Sequence, residues 1–302
     1  MTDDEFSHVA FSDESRHNVG RYRAVAVLTC AKQQAAELGV KAEAVIREGG
    51  LREFKWYKLR QARDRFVALD LVELSLDAIA SGQIRIDALI WDTHDSRHLI
   101  MNRDDIANLQ RMYYHLLRNV MRLRWQSDAV WALYPDEYSS MDWENLAQIL
   151  QYKSYSVTQT PRDLFSSPSG FALTFRRDFG IHAIIPVQSH LEPLCQVADL
   201  FAGIAAYSYS AFERYTAWQQ QHQAQLSLLF GSPSVSVFSN SERDRFLVLK
   251  QLSDSCKALT LGVSLNSSSG LRTYKPTNPL NFWMYVPQTD LDKAPTKEST
   301  SS

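Results

Sequence analysis

Two rhythms of apolar and polar residues alternate along the chain. Residues 22–30 (YRAVAVLTC) and 84–92 (IRIDALIWD) are short and nearly continuously apolar, a pattern that predicts well-buried strands. Residues 8–12, 128–136 (DAVWALYPD) and 181–187 (IHAIIPV) predict further strands. Between them the apolar positions recur three and four apart, which predicts helices. One covers 31–48 and is closed by Gly49-Gly50; another covers 61–80, with Phe66, Leu69, Val72, Leu76 and Ile79 on one face and Gly82 as its stop. Helices are also expected over 104–125, 143–152 and 193–209, whereas 157–180, rich in Ser, Pro and Thr, predicts irregular chain. Beyond these come a Gln-rich helical stretch, a Ser-rich linker, a helix near 242–258 and a loop-rich segment ending LNFWMYV.

Strands interleaved with helices predict an α/β fold, a mixed sheet with helices on both faces. The expected organisation is one domain over 1–212, a helical and loop-rich C-terminal extension over 213–287, and a disordered tail over 288–302. Residues 193–212 are long enough to span a bilayer, but Gln196 and Asp199 interrupt them, so a buried helix of a soluble protein is expected. The acidic start, MTDDEFSHVAF, is unlike a secretory signal. Cys30, Cys195 and Cys256 are far apart with no CxxC pair, which points to a reducing cytoplasm.

Composition narrows the partners. With 32 Lys+Arg against 34 Asp+Glu, the net charge of −2 argues against coating nucleic acid by bulk positive charge. Local basic patches remain. Arg47, Arg52, Lys55, Lys58, Arg60, Arg63 and Arg65 surround Trp56 and Tyr57, and Arg111, Arg118, Arg122 and Arg124 accompany Tyr113 and Tyr114. Basic residues among aromatics suit phosphate neutralisation and base stacking, and equally suit a solvated helix face.

The sharper signal is acidic. Three expected strands end on an acid, Asp13, Asp92 and Asp136, and groups at strand C-termini converge in sheets of this kind. Asp199 sits among Val197, Ala198, Leu200, Phe201 and Ile204, where a carboxylate requires a cation, a hydrogen-bond donor or a raised pKa. If these acids meet, their repulsion is relieved by Mg²⁺ or Mn²⁺, and two such ions can activate water and stabilise a leaving oxygen in phosphodiester cleavage. Glu14 should point to the opposite side of the strand from Asp13. Glu53 and Asp92 are reserve ligands. His94 and His98 read as a solvated loop, whereas His190 is a candidate for contacting phosphate at the site, or else a helix-entry residue. No GxSxG elbow, Walker or dinucleotide fingerprint is present.

Four stretches carry a resemblance: Phe11-Ser12-Asp13-Glu14-Ser15, Glu53-Phe54-Lys55-Trp56, Leu133-Tyr134-Pro135-Asp136, and SHLEPLCQVADLFAG over 189–203. In this order they resemble the prokaryotic family known as domain of unknown function 3800. Gly270-Leu271-Arg272 and Trp283 are similar to the tails of some members. The resemblance implies an RNase H-like mixed β-sheet flanked by helices. It also implies a divalent-metal-dependent nuclease acting on RNA or DNA, with Asp13, Asp136 and Asp199 as catalytic acids and Asp13, Glu14, Asp136 and Asp199 as metal ligands. Asp92 stays open as the middle acid in place of Asp136. Arg16, where the family usually has Gly, and Pro135 before Asp136 motivate the alternative: a catalytically inactive RNase H-like protein that binds nucleic acid or a partner.

Overall fold

The apolar segments assemble into one six-stranded mixed sheet, seen in a computed structural model that describes residues 5–15, 20–95, 105–137, 141–153, 155–159, 173–177, 180–227, 238–266 and 269–286. Arg16, His98, the Ser-rich linker and the tail at 288–302 lie outside the described residues.

Strands β1 (His8–Ser15), β2 (Tyr22–Ala31) and β3 (Ile84–Asp92) run antiparallel in turn. On the other side of β1, β4 (Val130–Pro135) is parallel, and a later strand, Gly180–Ile184, is parallel to β4. Two strands intervene in sequence, β5 (Tyr155–Gln159) and β6 (Leu173–Arg177), so the Gly180–Ile184 strand is β7. β5 and β6 pair antiparallel with each other, where irregular chain was expected. After the short pair β8 (Val263–Ser264) and β9 (Arg272–Thr273), β10 (Leu280–Met284) joins the main sheet parallel to β3. The order is therefore β10-β3-β2-β1-β4-β7.

Helices cover both faces, and strand alternation decides which residues meet which helix. Val9 and Phe11 of β1, Ala24, Ala26 and Leu28 of β2, and Ile86, Ala88 and Ile90 of β3 enter one apolar cluster. It includes residues of α1 (Lys32–Glu48), α2 (Ala62–Ala80), α5 (Pro193–Ser210) and α7 (Asn240–Ala258). Ala10, Val25, Val27, Leu89 and Trp91 face the other way, onto α3 (Asp105–Leu123) and α4 (Trp143–Lys153).

Helix α6 (Phe212–Ser227) leads from α5 into the C-terminal stretch. That stretch is knitted into the main body rather than appended to it. Leu280 and Phe282 of β10 and Phe246, Leu249 and Leu252 of α7 are fully buried in the first cluster, and Arg65 of α2 pairs with Asp244 of α7 at 2.6 Å. Within α2 the expected face is rotated. Phe66 is exposed, and Val67, Ala68 and Leu71 are buried beside Val72, Leu76 and Ile79. No helix among the described residues is long and apolar enough to cross a membrane.

Candidate functional site

Register brings the first two acids together. β1 pairs with β4 in parallel as far as Ser12 opposite Pro135, so the next residues, Asp13 and Asp136, are neighbours. The Asp136 N–H donates to the Ser12 carbonyl at 2.8 Å, and the Val187 N–H donates to the Pro135 carbonyl at 2.9 Å. Pro135 has no N–H to donate toward β7, but its carbonyl still accepts from Val187 and the Glu137 N–H donates to the Val187 carbonyl at 2.7 Å, so the ladder continues past it. Asp13 shares the parity of Val9 and Phe11, so it points toward the face that α5 covers.

Helix α5 is buried almost from end to end, and its polar residues hold a loop. Gln196, Asp199 and Gly203 recur at helical spacing along one side. The Gln196 Oε1 accepts from the Phe54 N–H at 2.6 Å, and its Nε2 donates to the Ser189 carbonyl at 2.7 Å. Asp199 Oδ2 accepts from the Trp56 N–H at 2.6 Å. At Gly203 a Cβ would stand 2.1 Å from Trp56 Cγ, so only glycine lets the indole lie against the helix. Glutamine, aspartate and glycine thus clamp 54–56 in an extended run that ends in the short 3-10 turn Trp56–Lys58.

The clamp aims Lys55 between the acids. Its Nζ donates to Asp13 Oδ2 at 2.9 Å and to Asp136 Oδ2 at 2.8 Å. Those two oxygens are therefore at most about 6 Å apart, within the range over which buried charges couple strongly. Asp136 Oδ1 accepts from the Ser189 N–H at 3.1 Å, and Ser189 Oγ donates to Glu53 Oε1 at 3.2 Å. Glu53 also pairs with Lys58 at 3.0 Å.

One ammonium serves several buried carboxyls. Burial pushes Asp13 well above the usual carboxylate range; repulsion from Asp199 adds to this while Lys55 pulls the other way. Asp199 is raised to about 6 by burial, against the opposing pull of Lys55 and the Trp56 N–H. For Lys55, burial disfavours the ammonium. Attraction to Asp13 and Asp199 and the hydrogen bonds to Asp136 and Asp13 more than offset that, so it stays charged. The surplus proton affinity belongs to the cluster, not to one residue.

The other expected site residues stand elsewhere or at the rim. Glu14 lies on the opposite face of β1, where Tyr113 Oη of α3 donates to its Oε2 at 2.8 Å; burial raises it to about 7. Asp92 is two strands away from β1 and is held by Arg21, with contacts of 2.9, 3.0 and 2.7 Å. Asp136, not Asp92, is the acid beside Asp13. His94 is exposed and its N–H donates to Asp92, and His190 is exposed in the turn Ser189–Leu191. Sequence reasoning placed Lys55 in a basic patch and in the Glu53-Phe54-Lys55-Trp56 motif without giving it a contact to the acids, and gave Gln196 and Ser189 no contact. The Gln196, Asp199 and Gly203 spacing on one helix side was the available signal.

An α/β sheet with a lysine-bridged pocket of acids at the C-terminal ends of two parallel strands is the class that fold and site define. No family profile matches the chain. Over 293 residues it is 39% identical to the uncharacterized protein ORF2' of Methanothermobacter thermautotrophicus, covering 94% of this chain and 96% of that protein. Over 300 residues it is 37% identical to the uncharacterized protein ORF2 of the same organism, covering 95% of this chain and 97% of that one. The chain belongs to the family of these two proteins.

Proposed function

We propose that this protein is a divalent-metal-dependent nuclease hydrolysing phosphodiester bonds of RNA or DNA, with Asp13, Asp136 and Asp199 holding Mg²⁺ or Mn²⁺. The observation that carries the reading is the acid surplus: three buried or half-buried aspartates around one ammonium. Among the described residues no group of three or more acidic, His or Cys side chains is arranged to hold a metal ion. Mg²⁺ does not require one, because it keeps several waters and is usually held by one or two carboxylates plus substrate phosphates. The donors fit such an ion: hard oxygens in a pocket where a cation, the Lys55 ammonium, already bridges two of them. When bound, the ion would lower the pKa of a water and neutralise charge on the phosphate.

The chain's own groups divide the remaining work. Asp13, Asp136 and Asp199 would hold the ion, and Asp199 also anchors the Lys55 loop through the Trp56 N–H. Lys55, released from its bridge, is a cation available to a phosphate oxygen. Arg52, Tyr57, Lys58, Arg60, Arg63 and Phe66 are exposed on and after that loop, which suits a strand whose backbone is neutralised and whose bases stack. The sheet order, three antiparallel strands followed by two parallel ones, and the convergence of the quoted motifs support the RNase H-like reading and kinship with the domain of unknown function 3800 family. Three buried free cysteines are in keeping with a cytoplasmic setting.

A second reading has an observation of its own. Lys55 bridges Asp13 and Asp136 and supplies their counter-charge from the chain itself, as an inactive, nucleic-acid-binding descendant would require. One experiment separates the two: incubation of purified protein with labelled RNA and DNA oligonucleotides in Mg²⁺, in Mn²⁺ and in EDTA. Cleavage only with metal, abolished in folded Asp13→Ala and Asp199→Asn variants, is the expected result. Cleavage that survives EDTA, or binding without cleavage under every metal condition, overturns the nuclease reading.

A further inference from the structure

Tyr114 and Arg118 of α3 contribute nothing to the acid pocket, yet they form one wall of a second cleft. This cleft of about 690 Å³ opens between α3 and β10, on the sheet face opposite Asp13. Tyr114 and Arg118 line it from α3, Asn281 and Trp283 from β10, and Arg124 closes one end.

Its chemistry is specific. Arg124 is paired with buried Asp87, which Arg85 and Asn281 also approach, and the Arg124 guanidinium lies 4.7 Å from the centre of the Trp283 ring. Asp87 thus faces two arginines, and Arg118 adds a third positive charge, its guanidinium 6.0 Å from the centre of the Tyr114 ring. Four polar atoms of this cluster are left over: the Nε of Arg85, the Nε of Arg118, the Oδ2 of Asp87 and the Oδ1 of Asn281 are buried and have no hydrogen-bond partner among the described residues. Arg118 and Arg124 in the lining select an anion, and the Tyr114 and Trp283 rings select a planar ring. The volume suits a small organic ligand.

We propose that this cleft binds a nucleoside phosphate, with its base against Tyr114 and Trp283 and its phosphate on Arg118. The site is separate from the acid pocket and does not depend on the nuclease reading.

The test is calorimetric titration of the full-length protein, in EDTA, with ATP, AMP and pyrophosphate. ATP or AMP should bind with saturation and change the tryptophan fluorescence, and pyrophosphate should bind more weakly. Arg118→Glu should weaken the nucleotide by about tenfold or more, and Asp199→Asn should leave it unchanged. Both α3 side chains are only half-buried, and Tyr114→Ala serves as a second variant should Arg118→Glu fail to fold. The proposal is overturned by no binding at millimolar nucleotide, by equal affinity for pyrophosphate, or by wild-type affinity in the folded α3 variants.

Discussion

Lys55 is the residue on which the pocket turns. It is 13% exposed and touches two acids, so its removal leaves buried negative charge without a counterion. Breaking such a pair by deleting one partner costs about 3–5 kcal/mol. Lys55→Met should therefore lower unfolding stability by about 3 kcal/mol in EDTA near neutral pH, with part of the loss restored by millimolar Mn²⁺, as read from denaturant melts. A loss that Mn²⁺ leaves untouched would separate the lysine from any cation site. Gly203 is the steric counterpart. In Gly203→Ala the new methyl meets the Trp56 ring, and overpacking of this kind costs about 1–3 kcal/mol. The variant should melt earlier and lose the Lys55 position. An unchanged melting temperature would show that the loop yields freely.

At the scale of elements, α5 both fills the core beneath the sheet and clamps a loop. Gln196→Leu keeps the volume but strips the Phe54 N–H and Ser189 carbonyl of their partners, each a buried group whose orphaning costs about 1–3 kcal/mol. Hydrogen exchange should quicken at 54–56 while the α5 amides stay protected; uniform exchange across both would contradict the clamp.

Much of this level was legible in the sequence. Strands β2 and β3 and helix α5 stand out because continuous apolar runs and a long apolar helix are local signals. Asp13, Asp92, Asp136 and Asp199 could be picked as candidate acids because each ends or interrupts an apolar run, and the family resemblance favoured Asp136 over Asp92. Where pairing is non-local, the signal faded. β5 and β6 stabilise each other across a polar insertion, and β10 finds its place beside β3 only through contacts nearly 200 residues away in sequence. The choice between Asp92 and Asp136 rested on Arg21 and on the β1–β4 register, neither of which a linear pattern displays. Phe66 shows the limit of periodicity, since α2 buries the neighbouring stripe and leaves that ring to solvent.

For the whole molecule, the acid cluster ties stability to pH. Glu14 rises from 4.5 to about 7 and Asp199 from 3.8 to about 6 on folding, both chiefly through burial. A raised acid pKa means the native state holds its proton longer than the unfolded chain does. Its contribution is fully present below the unfolded value and is lost as pH climbs through the folded one. The metal-free protein should therefore melt at progressively lower temperature from pH 5 to pH 7.5, an effect reduced in Asp199→Asn. A melting temperature that climbs over that range would reverse the sign of the account.

The most direct test is calorimetric titration of Mn²⁺ into the EDTA-treated, dialysed full-length protein at pH 7.5. Saturable uptake of one or two ions, a higher melting temperature on loading, and loss of both in a folded Asp13→Asn, Asp136→Asn double variant is the predicted result. No uptake at millimolar Mn²⁺, or uptake that the double variant retains in full, would contradict it.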